Sequence, residues 1–201
     1  MRILVLAPHT DDGELGCGGV MAKTVRNGGD VLYVALSHKF SDVDLADECQ
    51  ASLKKLGVFA FQLQDFPARV FSDHRQMILD SMIYTRKKYE PEVVFVPSSS
   101  DFHQDHAVVH NEAIRAFRDS TVLGYDLPWC KMVQGGTVIV PLEEVDLVAK
   151  VEALAEYKSQ EHRKYMRPDF IRSLAIVTGT KIGVDYAESF EALRIIPKLE
   201  I

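Results

Sequence analysis

The 201-residue sequence sets 23 Lys and Arg against 29 Asp and Glu, a formal charge of −6, with 47% apolar and 26% charged residues. That composition suits one globular domain spanning 1–201 and excludes a chain dominated by disorder, which needs low hydrophobicity with high net charge. The acidic balance argues against nucleic acid as a partner, because phosphate binding rests on clustered excess Lys and Arg.

In chain order, Ile3 to Ala7 is a continuous apolar, β-leaning run that suits a strand buried on both faces. A polar, glycine-rich loop is expected from Pro8 to Gly19, then a short helix from Val20 to Asn27 closed by Gly28-Gly29. Val31 to Leu36 reads as a strand, Asp44 to Leu56 as a helix ended by Gly57, and Val58 to Leu63 as a strand. A long helical pattern starts at Ser72-Asp73, with Ile78, Met82, Ile83 and Tyr89 near helical spacing. Val93 to Val96 is a fourth strand, Pro97 to Asp105 a second polar loop, and Ala107 to Phe117 a helix. The last third offers a strand over Thr137 to Pro141, helices over Leu142 to Ser159 and Phe170 to Gly179, and a closing strand over Ala187 to Ile196. Four strand–helix alternations predict an α/β, Rossmann-like, mostly parallel sheet with helices on both faces, and no linker or repeat divides the domain.

Ligands of such sheets bind beyond the carboxyl ends of the strands. The two most polar loops fall there: Pro8-His9-Thr10-Asp11-Asp12-Gly13-Glu14 after the first strand, and Asp101-Phe102-His103-Gln104-Asp105-His106 after the fourth. GxGxxG and a Walker lysine are both absent, so neither is a nucleotide loop of known type. Both offer imidazole and carboxylate. Two histidines and one carboxylate with open positions are a ligand set for catalytic zinc and for non-haem ferrous iron. Either loop alone would read as hydrogen-bonded structural residues; the pair at adjacent strand ends points to a metal. Three scattered cysteines, Cys17, Cys49 and Cys130, form no CxxC pair, which disfavours a thiolate site and disulfides and makes a reducing, cytoplasmic compartment the default. No run approaches the roughly 20 apolar residues that span a bilayer, so membrane insertion is not expected.

At these residues the sequence resembles the LmbE-like (PIG-L) family of metal-dependent de-N-acetylases, whose loops usually read HPDDE followed by GxGG, and HxDH. Weaker echoes are Glu48 in the second helix, Tyr157-Lys158-Ser159-Gln160, and Tyr186-Ala187-Glu188-Ser189-Phe190. The resemblance implies that His9, Asp12 and His106 bind Zn2+, with Fe2+ as the alternative, and that Asp11 is the general base. It makes His103 a general acid or electrostatic stabiliser, with Asp105 beside it in the catalytic set. It further implies a small N-acetylated substrate, an N-acetylglucosamine-like amino sugar or its conjugate, and leaves a homo-oligomer open. The chemistry is coherent: zinc lowers the pKa of a bound water from about 15.7 to about 7, and a carboxylate outside the ligand set can take its proton. Thr10 stands where the family has proline, Gly13 where it commonly has glutamate, and Leu45 where an arginine often lies.

Candidate substrate contacts are His38, after the second strand, Arg69, and Trp129, whose ring could stack on a sugar. The basic segment His162-Arg163-Lys164 reads first as a solvated face and second as an anion clamp. His110 is expected outside the ligand set, on a helix face or behind the ligands. Two rival readings stay open: a metal-dependent hydrolase of another amide or ester, and a sugar- or nucleotide-binding module with a structural metal.

Overall fold

Along the first strand, β1 (Arg2–His9), Ile3, Val5 and Ala7 enter one apolar core while Leu4 and Leu6 enter another. A strand buried on both faces has no reason to alternate apolar with polar, which is why the run reads as unbroken. The computed structural model describes residues 1–40, 43–132 and 136–197. Among these, the chain continues through α1 (Asp12–Arg26), β2 (Asp30–Ser37), β3 (Lys39–Phe40), β4 (Val43–Asp44), α2 (Ala46–Lys55) and β5 (Ala60–Leu63). It goes on through α3 (Arg75–Tyr89), β6 (Val93–Pro97), α4 (Gln104–Ala116), β7 (Thr121–Tyr125), β8 (Val138–Leu142), α5 (Glu144–Leu154), α6 (Pro168–Thr180) and β9 (Tyr186–Arg194).

The main sheet has seven strands in the order β5-β2-β1-β6-β7-β9-β8, parallel from β5 to β7, with β9 running antiparallel to both β7 and β8. The expected α/β fold with a mostly parallel sheet is therefore the observed one. Helices α1, α2, α5 and α6 cover one face, and α3 and α4 the other. From β1 the chain moves outward to β2 on one side, and later returns to add β6 on the other. That is the topological switch point, and it sets the carboxyl ends of β1 and β6 side by side.

The stretch read as a loop up to Gly19 is helical from Asp12, with a break at Cys17 (φ −144, ψ 24). Glycines lower helix propensity and disguise the helix in the sequence, but packing demands them. A Cβ on Gly13 would lie 2.5 Å from the Tyr33 ring and 2.8 Å from Val5, and one on Gly16 would collide with Tyr125. The break leaves backbone groups unpaired inside the protein, and a buried ion pair takes them up. Lys150 donates to the Leu15 carbonyl (2.7 Å) and to Glu188 (2.6 Å), while Glu188 accepts from the Gly19 and Val20 N–H groups (3.1 and 2.8 Å).

The helix expected to run to Ser159 stops at Leu154. Beyond it, the Tyr157 hydroxyl donates to Glu14 (2.7 Å), and Ser159 donates through its N–H and its hydroxyl to Glu48 (2.9 and 2.6 Å). Glu14 is fully buried and also accepts from the Tyr33 and Ser52 hydroxyls. Gly13 thus leaves no space for the glutamate common at its position, and the next residue supplies a carboxylate that ties α1 to β2, α2 and the 157–160 turn.

Candidate active site

His9 closes β1, and Asp12 opens α1 three residues later. Between them Asp11 adopts φ 84, a left-handed conformation costly for any side chain but glycine, Asn or Asp. That turn lets the Asp12 carboxylate fold back: its Oδ2 accepts the His9 N–H (3.0 Å) and faces His9 Nδ1 (3.2 Å). From the first turn of α4, His106 brings its Nε2 to 3.2 Å from the same oxygen. Both histidines thus present a ring nitrogen to one oxygen of Asp12, and among the described residues His9, His103 and His106 bring ring nitrogens within 4.8 Å of one another, close enough to hold a metal ion.

The outward nitrogens are held as well. His9 Nε2 lies 2.9 Å from Asp105 Oδ2, and His106 Nδ1 lies 2.8 Å from Asp101 Oδ2. A carboxylate behind each imidazole is the arrangement that fixes ring orientation and tautomer in metal-binding histidines. Burial alone would depress both imidazoles. Asp105 and Asp12 override it at His9 and push it up to about 9, and Asp12 and Asp101 push His106 up to about 10. Asp12 is held below the usual carboxylate range despite burial, by His106 and then His9. Three carboxylates around two rings make a pocket that favours positive charge.

Asp11, which makes no side-chain hydrogen bond among the described residues, is pushed well above the usual range by burial and then by Asp12 and Glu14, with Arg163 and His9 pulling the other way. The His103 ring stacks on His106 at 4.4 Å between centroids, and its Nδ1 accepts the Asp105 N–H (3.2 Å), capping α4. Asp105, beside His103 in the motif, directs its carboxylate to His9 instead. Burial, then the charges of His106 and His9, move His103 down.

These residues line a cleft of ≈ 290 Å³ that contains His9, Asp11, Asp12, His103 and His106 together with Arg69 and Trp129. His38, expected as a substrate contact, is not among the residues lining this cleft: its ring nitrogens are 2.9 Å from Asp44 and 2.9 Å from Asp65. Trp129 reaches the cleft, but one face of its indole is covered by Tyr165 at 3.7 Å. Arg69, at φ 74, donates its backbone N–H to Asp105 (2.6 Å). His110 donates to or accepts from nothing in the cluster; its Nδ1 faces the Pro97 carbonyl at 2.9 Å.

Asp101, Leu45, Gln160 and Tyr165 were not expected at the site, whereas Arg163, read second as part of an anion clamp, does line the cleft. Asp101 was within reach, five residues before His106 in the same loop. The others arrive from α2 and the 157–166 segment, which only tertiary packing brings over the end of β1.

The fold and this cluster define an α/β protein with a divalent-metal-type site at its switch point. The sequence model of the PIG-L family, described as GlcNAc-PI de-N-acetylase, matches residues 4–117, more than half of the chain, and the chain belongs to that family of metal-dependent deacetylases. It is 28% identical over 167 residues to the uncharacterized deacetylase YaiS of Escherichia coli, covering 78% of this chain and 90% of that protein. Among solved structures it is similar to the conserved protein TT1542 from Thermus thermophilus (TM-score 0.82, 24% identity, 98% of this chain and 96% of that one). It is also similar to the N,N'-diacetylchitobiose deacetylase from Pyrococcus horikoshii (TM-score 0.72, 22% identity, 98% and 84%).

Proposed function

We propose that this protein is a Zn2+-dependent N-deacetylase that hydrolyses the acetamide of a small N-acetylated molecule of the amino-sugar class. The observation that carries the reading is the approach of His9 Nδ1 and His106 Nε2 to Asp12 Oδ2, with a carboxylate behind each imidazole. That donor set of two nitrogens and one oxygen fits zinc with a position left for a ligand, and Fe2+ is the alternative. Bound there, the cation supplies Lewis acidity that lowers the pKa of a water and polarises the acetyl carbonyl.

The remaining work falls to the chain. Asp11, outside the ligand set and with no side-chain hydrogen bond among the described residues, takes a proton from the attacking water as the C–O bond forms. It returns that proton to the departing nitrogen as the C–N bond breaks. His103, whose Nδ1 accepts a backbone N–H, carries its proton on Nε2 and donates it as a hydrogen bond to the carbonyl oxygen as charge develops there. Asp105 is here a positioning residue for His9, in place of the catalytic role expected from its motif, because its two oxygens already serve His9, Arg69 and Phe71.

Metal analysis followed by acetate-release assays on free, glycosidic and nucleotide-linked N-acetyl sugars tests this. Asp11→Asn should keep the metal and lose about 10²–10⁴ in rate, the usual contribution of a positioned base. Retained metal and activity after replacing His9, Asp12 or His106 would refute it. Tight metal without turnover on any amide would favour the structural-metal reading.

A further inference from the structure

The 157–166 segment brings two polar groups to the cleft wall whose local partners leave something over. Gln160 is 8% exposed; its Nε2 donates to Ser159 Oγ (3.0 Å), and its Oε1 accepts no hydrogen bond. A buried amide oxygen without a donor costs free energy until a ligand supplies one. Arg163 lies half-buried three residues on. Its guanidinium donates to the Tyr165 hydroxyl and sits 5.6 Å from that ring's centroid, yet it forms no ion pair among the described residues, its charge acting on Asp11 from a distance.

The buried cations Lys150 and Lys131 are paired, with Glu188 and Asp126. Tyr165 is itself stacked on Trp129, so the guanidinium is steered by a rigid aromatic pair. A planar fork fixed at one N–H, with the rest unpaired, is suited to binding a carboxylate or a phosphate at two points. Leu45 also lines the cleft and offers no charge of either sign, and Arg69 is the other arginine in its lining.

We propose that Arg163 is an anion-recognition residue and that the substrate is an N-acyl molecule bearing a carboxylate or phosphate on its body, with a hydroxyl or N–H of that body donated to Gln160 Oε1. This names the substrate class within the deacetylase reading and rests on it for the N-acyl part only.

The test uses metal-loaded protein and three product-type probes that cannot be turned over: glucosamine, glucosamine 6-phosphate and muramic acid, which separate the neutral, phosphate and carboxylate arms. Titration calorimetry should find at least one anionic probe bound about tenfold or more tightly than glucosamine, the scale of one charge-assisted pair. Arg163→Met should bring that ratio below about threefold, and Arg163→Lys, which keeps the charge without the fork, should retain part of it. Glucosamine binding as tightly as both anions, or an anion preference that survives Arg163→Met, would overturn the proposal. Acetate release from the N-acetyl forms is read in parallel. Anion-selective binding lost with Arg163 but without hydrolysis would sink the deacetylase reading and leave the clamp standing.

Discussion

Replacing Asp105 by Asn changes one atom in a carboxylate that is wholly buried and receives three donors. Oδ2 faces His9 Nε2 (2.9 Å) and the Arg69 N–H (2.6 Å), and Oδ1 faces the Phe71 N–H (3.2 Å). An amide offers one oxygen and one NH2, so its nitrogen must confront a donor whichever way it turns. The milder orientation sets NH2 against Phe71 and strands one buried N–H, at about 1–3 kcal/mol. In a chain of this length each kcal/mol lowers Tm by about 2–4 °C. The oxygen that remains on His9 is uncharged and a weaker acceptor, so the ring is less firmly held and less basic. Loss of such a partner behind a metal-binding histidine costs about 10–100-fold in metal affinity. Zinc competition against a chromogenic chelator reads the affinity directly, and acetate release at saturating zinc separates it from the chemical step. Affinity unchanged in Asp105→Asn, or a rate that stays about 10²-fold low at saturating zinc with a shifted pH profile, would refute the positioning role and return Asp105 to the reacting groups.

Three further outcomes are expected. Without metal, His9 and His106 stay protonated well above the ordinary imidazole value of 6.5, to about 9 and about 10. Their ion pairs therefore contribute stability that is complete below pH 6.5 and lost as pH rises through 9 to 10. Zinc must expel those protons, so calorimetry at pH 7.5 in buffers of different ionisation enthalpy should detect about two protons released per ion, and zero release would contradict the shared pocket. Lys150→Met should destabilise by about 3–5 kcal/mol in urea unfolding, because it strands a buried Glu188. The cycle completed with Glu188→Gln should then be non-additive by more than about 1 kcal/mol, and additivity would mean that the pair does not hold the α1 break. His38→Asn, which alters a ring engaged by Asp44 and Asp65 outside the cleft, should change KM by less than about twofold, and a tenfold rise would restore it as a substrate contact.

By itself the sequence determined the parts whose causes are local. Unbroken apolar runs such as Ile3 to Ala7 specify strands covered on both faces, and their alternation with helical patterns specifies a parallel sheet whose polar loops fall at the strand ends. His9, Asp11, Asp12, His103 and His106 were legible because two short loops carry them. Tertiary structure decided what depends on neighbours distant in the chain. The helix from Asp12 was hidden by glycines that exist only because Tyr33, Val5 and Tyr125 press against it. The aim of Asp105 was set by the backbone of Arg69 and Phe71, so a carboxylate adjacent to His106 in sequence serves His9 instead. Arg163 and Gln160 enter the cleft because Tyr157 and Ser159 are tied to Glu14 and Glu48, contacts that span 143 and 111 residues. A side chain's chemistry is written in its type, but its direction is fixed by whichever buried donors and acceptors the fold requires it to satisfy.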